Sequence, residues 1–306
     1  MAGEDQAGAA EQQPDSVPRL GRVPRQPRCL VMGVVNVTPD SFSDGGAWLQ
    51  PAAAIAHGLE LARQGADIID VGGESTRPGA QRVPMADELG RVMPVITALA
   101  AAGCYVSIDT MRAEVARQAI QAGASMVNDV SGGLADPEMA RAVAGAGVPY
   151  IMTHWRGHSS DMYGPASYVD VVTEVRDELA LRVQAAIAGG VDPAQIILDP
   201  GLGFAKLAEH NWALLASLDR IGCLPSQQGR FPVLVAASRK RFIGRLLAGP
   251  DGELRSFVGS DDATIAITAL AVAAGAWCVR VHVVPGNIDA VRVATRWRQA
   301  STAGGT

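Results

Sequence analysis

Five polar residues in this sequence stand at one recurring kind of position, directly after a short apolar run. They are Asn36, Asp109, Asn128, Asp199 and His282. Their amide, carboxylate and imidazole groups can donate or accept the hydrogen bonds that hold a small ligand. A single acidic residue after a strand is commonly the N-cap of the next helix, and Asp109 keeps this alternative open. Five such positions together indicate a binding site.

Cationic residues accompany these groups. The loop Ser238-Arg239-Lys240-Arg241 follows another apolar run, and apolar residues flank it on both sides, which is unlike a fully solvated turn. Lys240 can donate to a ring carbonyl, and Arg280 can stack on a ring or pair with phosphate. A carboxylate can accept two hydrogen bonds from a guanidine-like ring edge. The combination suits a flat, nitrogen-rich heterocycle that carries phosphate.

Eight short apolar runs must position these residues. Such runs are typical of strands buried on both faces of a parallel sheet. Segments rich in Ala, Leu, Glu and Arg lie between them and predict helices, several of which end at a glycine suited to a left-handed C-cap. The predicted strands are Leu30–Val35, Asp67–Val71, Tyr105–Ile108, Ser125–Asn128, Pro149–Met152, Gln195–Leu198, Val233–Ala236 and Cys278–Val281. The predicted helix-ending glycines are Gly65, Gly103, Gly123, Gly147 and Gly275.

Eight β/α units in one domain predict a (β/α)₈ TIM barrel. In such a barrel the C-terminal strand ends meet at one mouth, where catalytic residues lie, and the loops after the seventh and eighth strands commonly bind phosphate. A doubly wound open sheet is the alternative. It is disfavoured because no GxGxxG sequence follows the first strand.

The composition limits the classes of function. The chain has 306 residues, of which 48% are hydrophobic and 19% charged, so a large core is possible. Its net charge of −5 gives no sign of nucleic-acid binding, which usually needs a basic face. No apolar stretch reaches the roughly 18 residues that span a bilayer, so no membrane partner is expected. Four cysteines without a CxxC pair fit a reducing, cytoplasmic location.

The ends of the chain differ from its centre in composition. Residues 1–27 are rich in Gln, Pro, Ala and Gly and lack the apolar centre of a signal peptide, so we expect a disordered tail. We expect residues 28–298 to form a single barrel domain and residues 299–306 a loose C-terminal tail.

Several long motifs occur in a specific order. Met32–Gly46 reads MGVVNVTPDSFSDGG, and Asp70–Gly79 reads DVGGESTRPG. Further motifs are Ser107–Thr110, Val127–Gly133, Met152–Arg156, Leu198–Phe204, Ser238–Arg241 and Arg280–His282. From Leu30 to Arg298 the chain resembles the dihydropteroate synthases, a family of pterin-binding enzymes, and especially their actinobacterial form.

The resemblance implies a role for each matching position. The pterin would be bound by Asp109, Asn128, Met152, Asp199, Phe204, Lys240 and Arg280. The p-aminobenzoate would be framed by Phe42, Pro78, Phe204 and the start of the helix at Arg241. Asp44, Thr76, Arg77 and Pro78 would close over the substrates. Arg280 and His282 would hold the diphosphate, and Asn36 would bind Mg²⁺ together with diphosphate oxygens. The resemblance implies that Asp44, Lys240, Arg280 and His282 take part in catalysis.

The resemblance also implies the reaction. Hydroxymethyl-dihydropterin diphosphate would lose diphosphate, and the aniline nitrogen of p-aminobenzoate would attack the cation-like pterin carbon to form dihydropteroate. The protein would contribute orientation and electrostatics rather than a strong base. Sulfonamides would compete with p-aminobenzoate, and the molecule would be a homodimer.

Two residues depart from the family pattern, and two other functions remain as alternatives. Val283 stands where Asp is usual, and Ala236 stands where Gly is common. A pterin-binding methyltransferase shares the barrel and its carboxylates but expels no diphosphate, so the Ser238–Lys240 loop favours the synthase. A non-catalytic pterin-binding protein could dispense with Asn36, Arg280 and His282, and all three are present.

Overall fold

The structure is a computed structural model that describes residues 23, 24, 26–38, 50–75, 82–157, 166–225 and 229–303. All eight predicted strands are present, and most extend one residue further along the chain than predicted. They are β1 Leu30–Asn36, β2 Ile68–Gly72, β3 Val106–Asp109, β4 Met126–Asp129, β5 Tyr150–Thr153, β6 Ile196–Asp199, β7 Leu234–Val235 and β8 Cys278–Val281.

The strands form one parallel sheet in the order β6-β5-β4-β3-β2-β1-β8-β7. A parallel bridge between Leu198 and Val233 joins its two edges. The predicted (β/α)₈ TIM barrel is therefore confirmed, and the C-terminal ends of all eight strands face the same side.

Ten helices lie between and after the strands in the described residues. They are α1 Pro51–Arg63, α2 Met85–Ala101, α3 Ala113–Gln121, α4 Met139–Ala146, α5 Val171–Ala188, α6 Ala208–Leu215, α7 Leu218–Ile221, α8 Arg241–Leu246, α9 Asp261–Ala273 and α10 Val284–Ala303. The five glycines predicted to end helices all have positive φ, between 65° and 113°, as the prediction required.

Each strand buries both faces, but in different clusters. One set fills the barrel interior and comprises Leu30, Met32, Ile68, Met126, Ile151, Ile197, Leu234, Ala236 and Cys278. The alternate strand residues pack against the helices and include Val31, Val35, Val71, Ile108, Val127, Met152, Leu198, Val235 and Val279. Because side chains alternate along a strand, this division fixes which residue at each strand end points into the mouth.

Both termini differ from the expected tails. Val23 is buried in the interior cluster beside Leu30 and Met32, so part of the segment 1–27 packs against the barrel; residues 1–22 lie outside the described residues. Helix α10 continues to Ala303 and so enters the segment 299–306. Within the described part of the chain, no helix is both long and apolar enough to cross a bilayer.

Candidate active site

The strand alternation directs one set of polar residues into the mouth. On each strand, every second residue counted from the interior cluster points inward. By this count, every strand except β7 has an inward polar residue at its C-terminal end or just after it. These residues are Asn36, Asp70, Asp109, Asn128, Thr153, Asp199, Arg280 and His282. The five strand-end residues singled out in the sequence are all among them.

Arg280 links three strands across the mouth. Its Nε donates to Asp70 Oδ2 at 2.7 Å, and its Nη2 donates to Asp109 Oδ2 at 2.8 Å. Asn128 Nδ2 donates to the same Asp70 oxygen at 3.0 Å. Asp70 Oδ1 is buried and has no hydrogen-bond partner. In the free protein the guanidinium therefore neutralises the carboxylates that a ligand ring would meet.

Burial changes the acid–base behaviour of the two predicted pterin carboxylates. Burial raises the pKa of Asp109 to about 7, although the Arg280 guanidinium opposes the shift. Burial also raises the pKa of Asp199, against the hydrogen bond from the Gly201 amide and the nearby Lys240. A charged group in a low-dielectric site interacts strongly with a hydrogen-bonding ligand. Hydrogen-bond donors on the edge of a ligand ring would therefore stabilise the charged form of both carboxylates.

The loop after β6 brings its backbone close to the neighbouring strand end. Asp199 Oδ1 accepts from the Gly201 amide at 2.7 Å. Gly201 has φ +69°, and a Cβ atom there would overlap the His154 carbonyl oxygen. Only glycine fits this approach. The tight loop fixes Asp199 and leads directly into Phe204.

Lys240 and Phe204 form one side of the mouth. Lys240 Nζ lies 4.1 Å from the centre of the Phe204 ring, a cation–π distance. Burial lowers the pKa of Lys240 to about 8, while Asp199 opposes the shift. The Lys240 ammonium can donate to a carbonyl of the ligand ring, while the neighbouring Asp199 carboxylate accepts hydrogen bonds from the N–H groups of the same ring.

An apolar cluster also stands at the mouth. Met111, Val130 and Phe204 are buried together, and Ala135 and Trp155 pack against them. The sequence analysis missed Met111, Val130 and Trp155. The signal was available, because each stands two residues after an inward polar residue and so continues the same alternation. This cluster gives the site the apolar walls that a flat ring needs.

The inward position that was predicted for Met152 at the end of β5 is occupied by Thr153. Met152 packs in the outer cluster with Tyr150 and Val175, whereas Ile151 lies in the interior cluster. The inward residue at the end of β5 is therefore Thr153, and Met152 does not face the mouth. The resemblance implied a pterin contact for Met152, and the alternation along β5 places its side chain on the opposite face from Ile151 and Thr153.

The cationic loop after β7 divides its residues among three environments. Arg239 has φ +58° and forms a two-pronged ion pair with Asp261. Arg241 is exposed and begins α8. Ser238 Oγ lies 2.9 Å from His282 Nδ1, so this hydroxyl orients His282, the residue predicted to bind the diphosphate.

A buried lysine was not anticipated from the sequence. Lys206 Nζ donates to the Phe204 carbonyl at 3.0 Å and lies 2.8 Å from His154 Nδ1. His154 Nε2 lies 2.9 Å from Glu178 Oε2. Burial lowers the pKa of Lys206 to about 7 and that of His154 to about 4. A neutral His154 accepts from Lys206 and donates to Glu178, which ties the Phe204 loop to α5.

The two departures from the family pattern occupy different places. Ala236 lies in the interior cluster beside Leu234. Val283 lines a cavity of about 300 Å³ with His57, Arg239 and His282. Five residues with predicted roles lie outside the described residues, and their roles stay predictions: Phe42, Asp44, Thr76, Arg77 and Pro78.

A TIM barrel whose mouth combines buried carboxylates, an amide, a lysine and apolar walls defines a protein that binds a flat polar ring. The chain belongs to the family described as pterin binding enzyme, whose model matches residues 32–282. The dihydropteroate synthase of Mycobacterium leprae is 54% identical over 271 residues, which are 88% of this chain and 94% of the relative.

Solved structures show the same similarity. The Yersinia pestis dihydropteroate synthase in a sulfonamide drug complex is 35% identical, with a TM-score of 0.82, over 89% of this chain and 95% of that one. The Burkholderia cenocepacia dihydropteroate synthase complexed with 7,8-dihydropteroate is 37% identical, with a TM-score of 0.79, over 90% and 94% of the two chains.

Proposed function

We propose that the protein is a dihydropteroate synthase, a transferase that joins hydroxymethyl-dihydropterin diphosphate to p-aminobenzoate and releases diphosphate. The observation that carries the proposal is the convergence of Asp109, Asn128, Asp199 and Lys240 at one mouth, where Arg280 bridges two buried carboxylates. The 54% identity to the Mycobacterium leprae synthase supports the same activity.

Each mouth residue has a chemical task in this reaction. Asp109 and Asp199 accept hydrogen bonds from the amino and N–H groups of the pterin, Asn128 adds a donor or acceptor, and Lys240 donates to the ring carbonyl. The apolar cluster around Phe204 confines the ring plane. These contacts fix the exocyclic carbon of the pterin relative to the incoming amine, which lowers the entropic part of the barrier.

The bond changes occur at that exocyclic carbon. Its C–O bond to diphosphate breaks, the electron pair leaves with the diphosphate, and the electron-rich ring stabilises the resulting cation. The neutral aniline nitrogen then forms the new C–N bond and loses one proton to solvent. We assign the stabilisation of the leaving diphosphate to Arg280 and His282, whose imidazole Ser238 orients.

Mg²⁺ fits the site as a partner of the diphosphate. In the described ranges no group of three His, Cys, Asp or Glu residues could hold a metal ion. Asn36 stands at an inward position at the end of β1, and Mg²⁺ prefers oxygen ligands drawn from few side chains together with substrate phosphates. We therefore propose that Asn36 holds Mg²⁺ with the diphosphate; when bound, the ion neutralises charge on the leaving group.

The pterin-binding methyltransferase remains the alternative enzyme. It would share the carboxylates of the mouth, but its reaction would release no diphosphate for His282 to bind. The matching relatives and structures are named dihydropteroate synthases, which favours the synthase.

We propose that the protein is a homodimer and that it is located in the cytoplasm. Helices α9 and α10 pack against each other and expose Leu270, Val293 and Trp297, whose relative exposures are 71%, 66% and 74%. Three large apolar side chains on adjacent helices are suited to an interface. Sedimentation of the purified protein tests this, with Leu270→Glu combined with Trp297→Glu as the variant expected to be monomeric. A monomeric wild type at micromolar concentration contradicts the dimer.

The direct test of function is an assay of diphosphate release with both substrates and Mg²⁺. We expect dihydropteroate and diphosphate in equal amounts, and neither when one substrate is omitted. Sulfonamides should raise the apparent KM for p-aminobenzoate without changing kcat, because they share its aryl amine and anionic group. The absence of product with both substrates present rejects the proposal, and inhibition independent of p-aminobenzoate rejects the shared site.

A further inference from the structure

Thr153 is an inward-facing polar residue that the function described so far does not use. It is the last residue of β5 and its relative exposure is 1%. Its strand neighbour Ile151 lies in the barrel interior, and Met152 lies in the outer cluster. The alternation therefore directs the Thr153 side chain into the barrel at the level of the mouth.

The hydroxyl of Thr153 has no hydrogen-bond partner, although it is buried. A threonine hydroxyl can donate one hydrogen bond and accept two. Leaving such a group unpaired in a protein interior is unfavourable, and the great majority of buried polar groups are paired. An orphan hydroxyl inside a ligand site is therefore a candidate contact for the ligand itself.

The surroundings of Thr153 point to the pterin ring edge. Its Cα is the register partner of Asp199 on β6. On the other side, Asn128 of β4 is the register partner of Ile151, the inward residue that precedes Thr153. Trp155, the next inward position, packs with Phe204 in the apolar wall of the mouth. Thr153 thus stands level with Asp199, which is assigned to the ring edge, and two residues before Trp155, which belongs to the ring wall.

We propose that the Thr153 hydroxyl binds the nitrogen-bearing edge of the pterin and is a specificity-determining residue of the site. The hydroxyl exchanges an unpaired state in the free protein for a hydrogen bond in the complex. This inference rests on the proposed synthase function, because it takes the ligand to be a pterin.

The proposal makes two measurements move in opposite directions. Thr153→Val keeps the size and shape of the side chain but replaces the hydroxyl with a methyl group. In the free protein this removes an unpaired buried polar group, so the melting temperature should stay equal or rise. In the complex it removes one hydrogen bond, so the Kd for the pterin should rise about tenfold. A purely structural threonine would not give this combination.

Ser107 provides the matched control. It is an inward residue of β3, it is fully buried, and its hydroxyl is also unpaired. It precedes Asp109 by two residues and so lies one inward step further from the mouth. Ser107→Ala should leave the pterin Kd unchanged, which separates contact with the ring from the general effect of removing a buried hydroxyl.

The experiment is calorimetric titration of the full-length protein with 6-hydroxymethyl-7,8-dihydropterin, together with thermal unfolding. Thr153→Ser keeps the hydroxyl and should bind within about threefold of wild type, because its hydrogen-bonding oxygen is retained. Thr153→Ser and Thr153→Ala differ by one oxygen atom and give the same comparison if the valine variant does not fold. Equal affinity of wild type and Thr153→Val, or equal weakening in the serine and alanine variants, overturns the inference. A wild type that does not bind the pterin rejects the proposed function instead.

Discussion

At the scale of single residues, we propose that Asp199 has both a structural role and a role in binding the pterin. One carboxylate oxygen accepts from the Gly201 amide, while the charge faces Lys240 across the mouth. Asp199→Asn keeps an oxygen for the Gly201 amide but removes the charge that binds the pterin donors. We expect pterin binding to weaken by about 2–5 kcal/mol, with little change in thermal unfolding. Calorimetry that finds the wild-type affinity in this variant excludes the assigned role.

The shifted pKa values of the mouth predict a pH dependence of pterin binding. Asp109, with a pKa of about 7, becomes a better acceptor as the pH rises toward neutrality. Lys240, with a pKa of about 8, loses its charge above that pH. Pterin affinity should therefore rise up to about pH 7 and fall above about pH 8. An affinity that is constant from pH 5.5 to 9.5 contradicts both assignments.

The same carboxyl group makes a contribution of opposite sign to the stability of the free protein. The pKa of Asp109 is raised from 3.8 to about 7, so between these values the folded state binds a proton that the unfolded chain does not. The contribution of Asp109 to stability is complete below about pH 4 and is lost as the pH rises through 7. Ligand affinity and free-protein stability thus depend on this carboxyl group in opposite directions.

At the scale of elements, the loop after β6 holds a residue in an unfavourable conformation. Ala205 has φ +47°, the left-handed region that costs a residue with a Cβ about 1–2 kcal/mol. Because glycine tolerates this region but gains freedom in the unfolded chain, we expect Ala205→Gly to stabilise the protein by about 0.5–1 kcal/mol. Denaturant unfolding measures the change. The control Gly201→Ala should strongly destabilise it, since the new methyl group would meet the His154 carbonyl.

An ion-pair network connects α2, α3 and the segments that flank residues 76–81. Arg112 donates to Glu74, to the buried Glu88 and to the Val83 carbonyl, and Thr110 Oγ1 donates to Glu88 at 2.6 Å. Arg112→Met leaves the buried Glu88 without its counter-charge. We expect a loss of about 3–5 kcal/mol in the free energy of unfolding.

Two further variants test whether charge is the cause. Arg63→Met breaks an ion pair with Glu60 that is exposed to solvent, and it should cost at most about 1 kcal/mol. Adding Glu88→Gln to Arg112→Met should restore part of the lost stability, because the uncompensated charge is then removed. Similar losses in the Arg112 and Arg63 variants would mean that the network is energetically unimportant.

The sequence identified the elements better than the directions of their side chains. All eight strands could be predicted because both of their faces are apolar. The resemblance implied a mouth position for Met152, whereas the structure places Thr153 on the inward face, because neighbouring residues of a strand point to opposite faces. Met111, Val130 and Trp155 could have been found by continuing the alternation past the strand ends. Lys206 could not, since its partners His154 and Glu178 lie far away in the sequence.

At the scale of the whole molecule, contacts distant in sequence decide the site. The hydrogen bonds from Arg280 to Asp70 and to Asp109 span 210 and 171 residues. No local pattern indicates such pairs; the sequence predicted only that these strand ends share one mouth. Strand β8 brings Arg280 into place, and it also joins β1 to β7 in the closed sheet.

This topology has a consequence for the order in which the protein is made. The ribosome adds Asp70 and Asp109 well before Arg280, so the nascent chain lacks the guanidinium that pairs with them until its last strand emerges. A fragment of residues 1–274 lacks β8 and should show no cooperative thermal transition, whereas the full chain should show one. A fragment that unfolds cooperatively would mean that the barrel core forms before its electrostatics are complete. If the fragment shows no cooperative transition, the barrel and its site form together, and only after β8 has been synthesised.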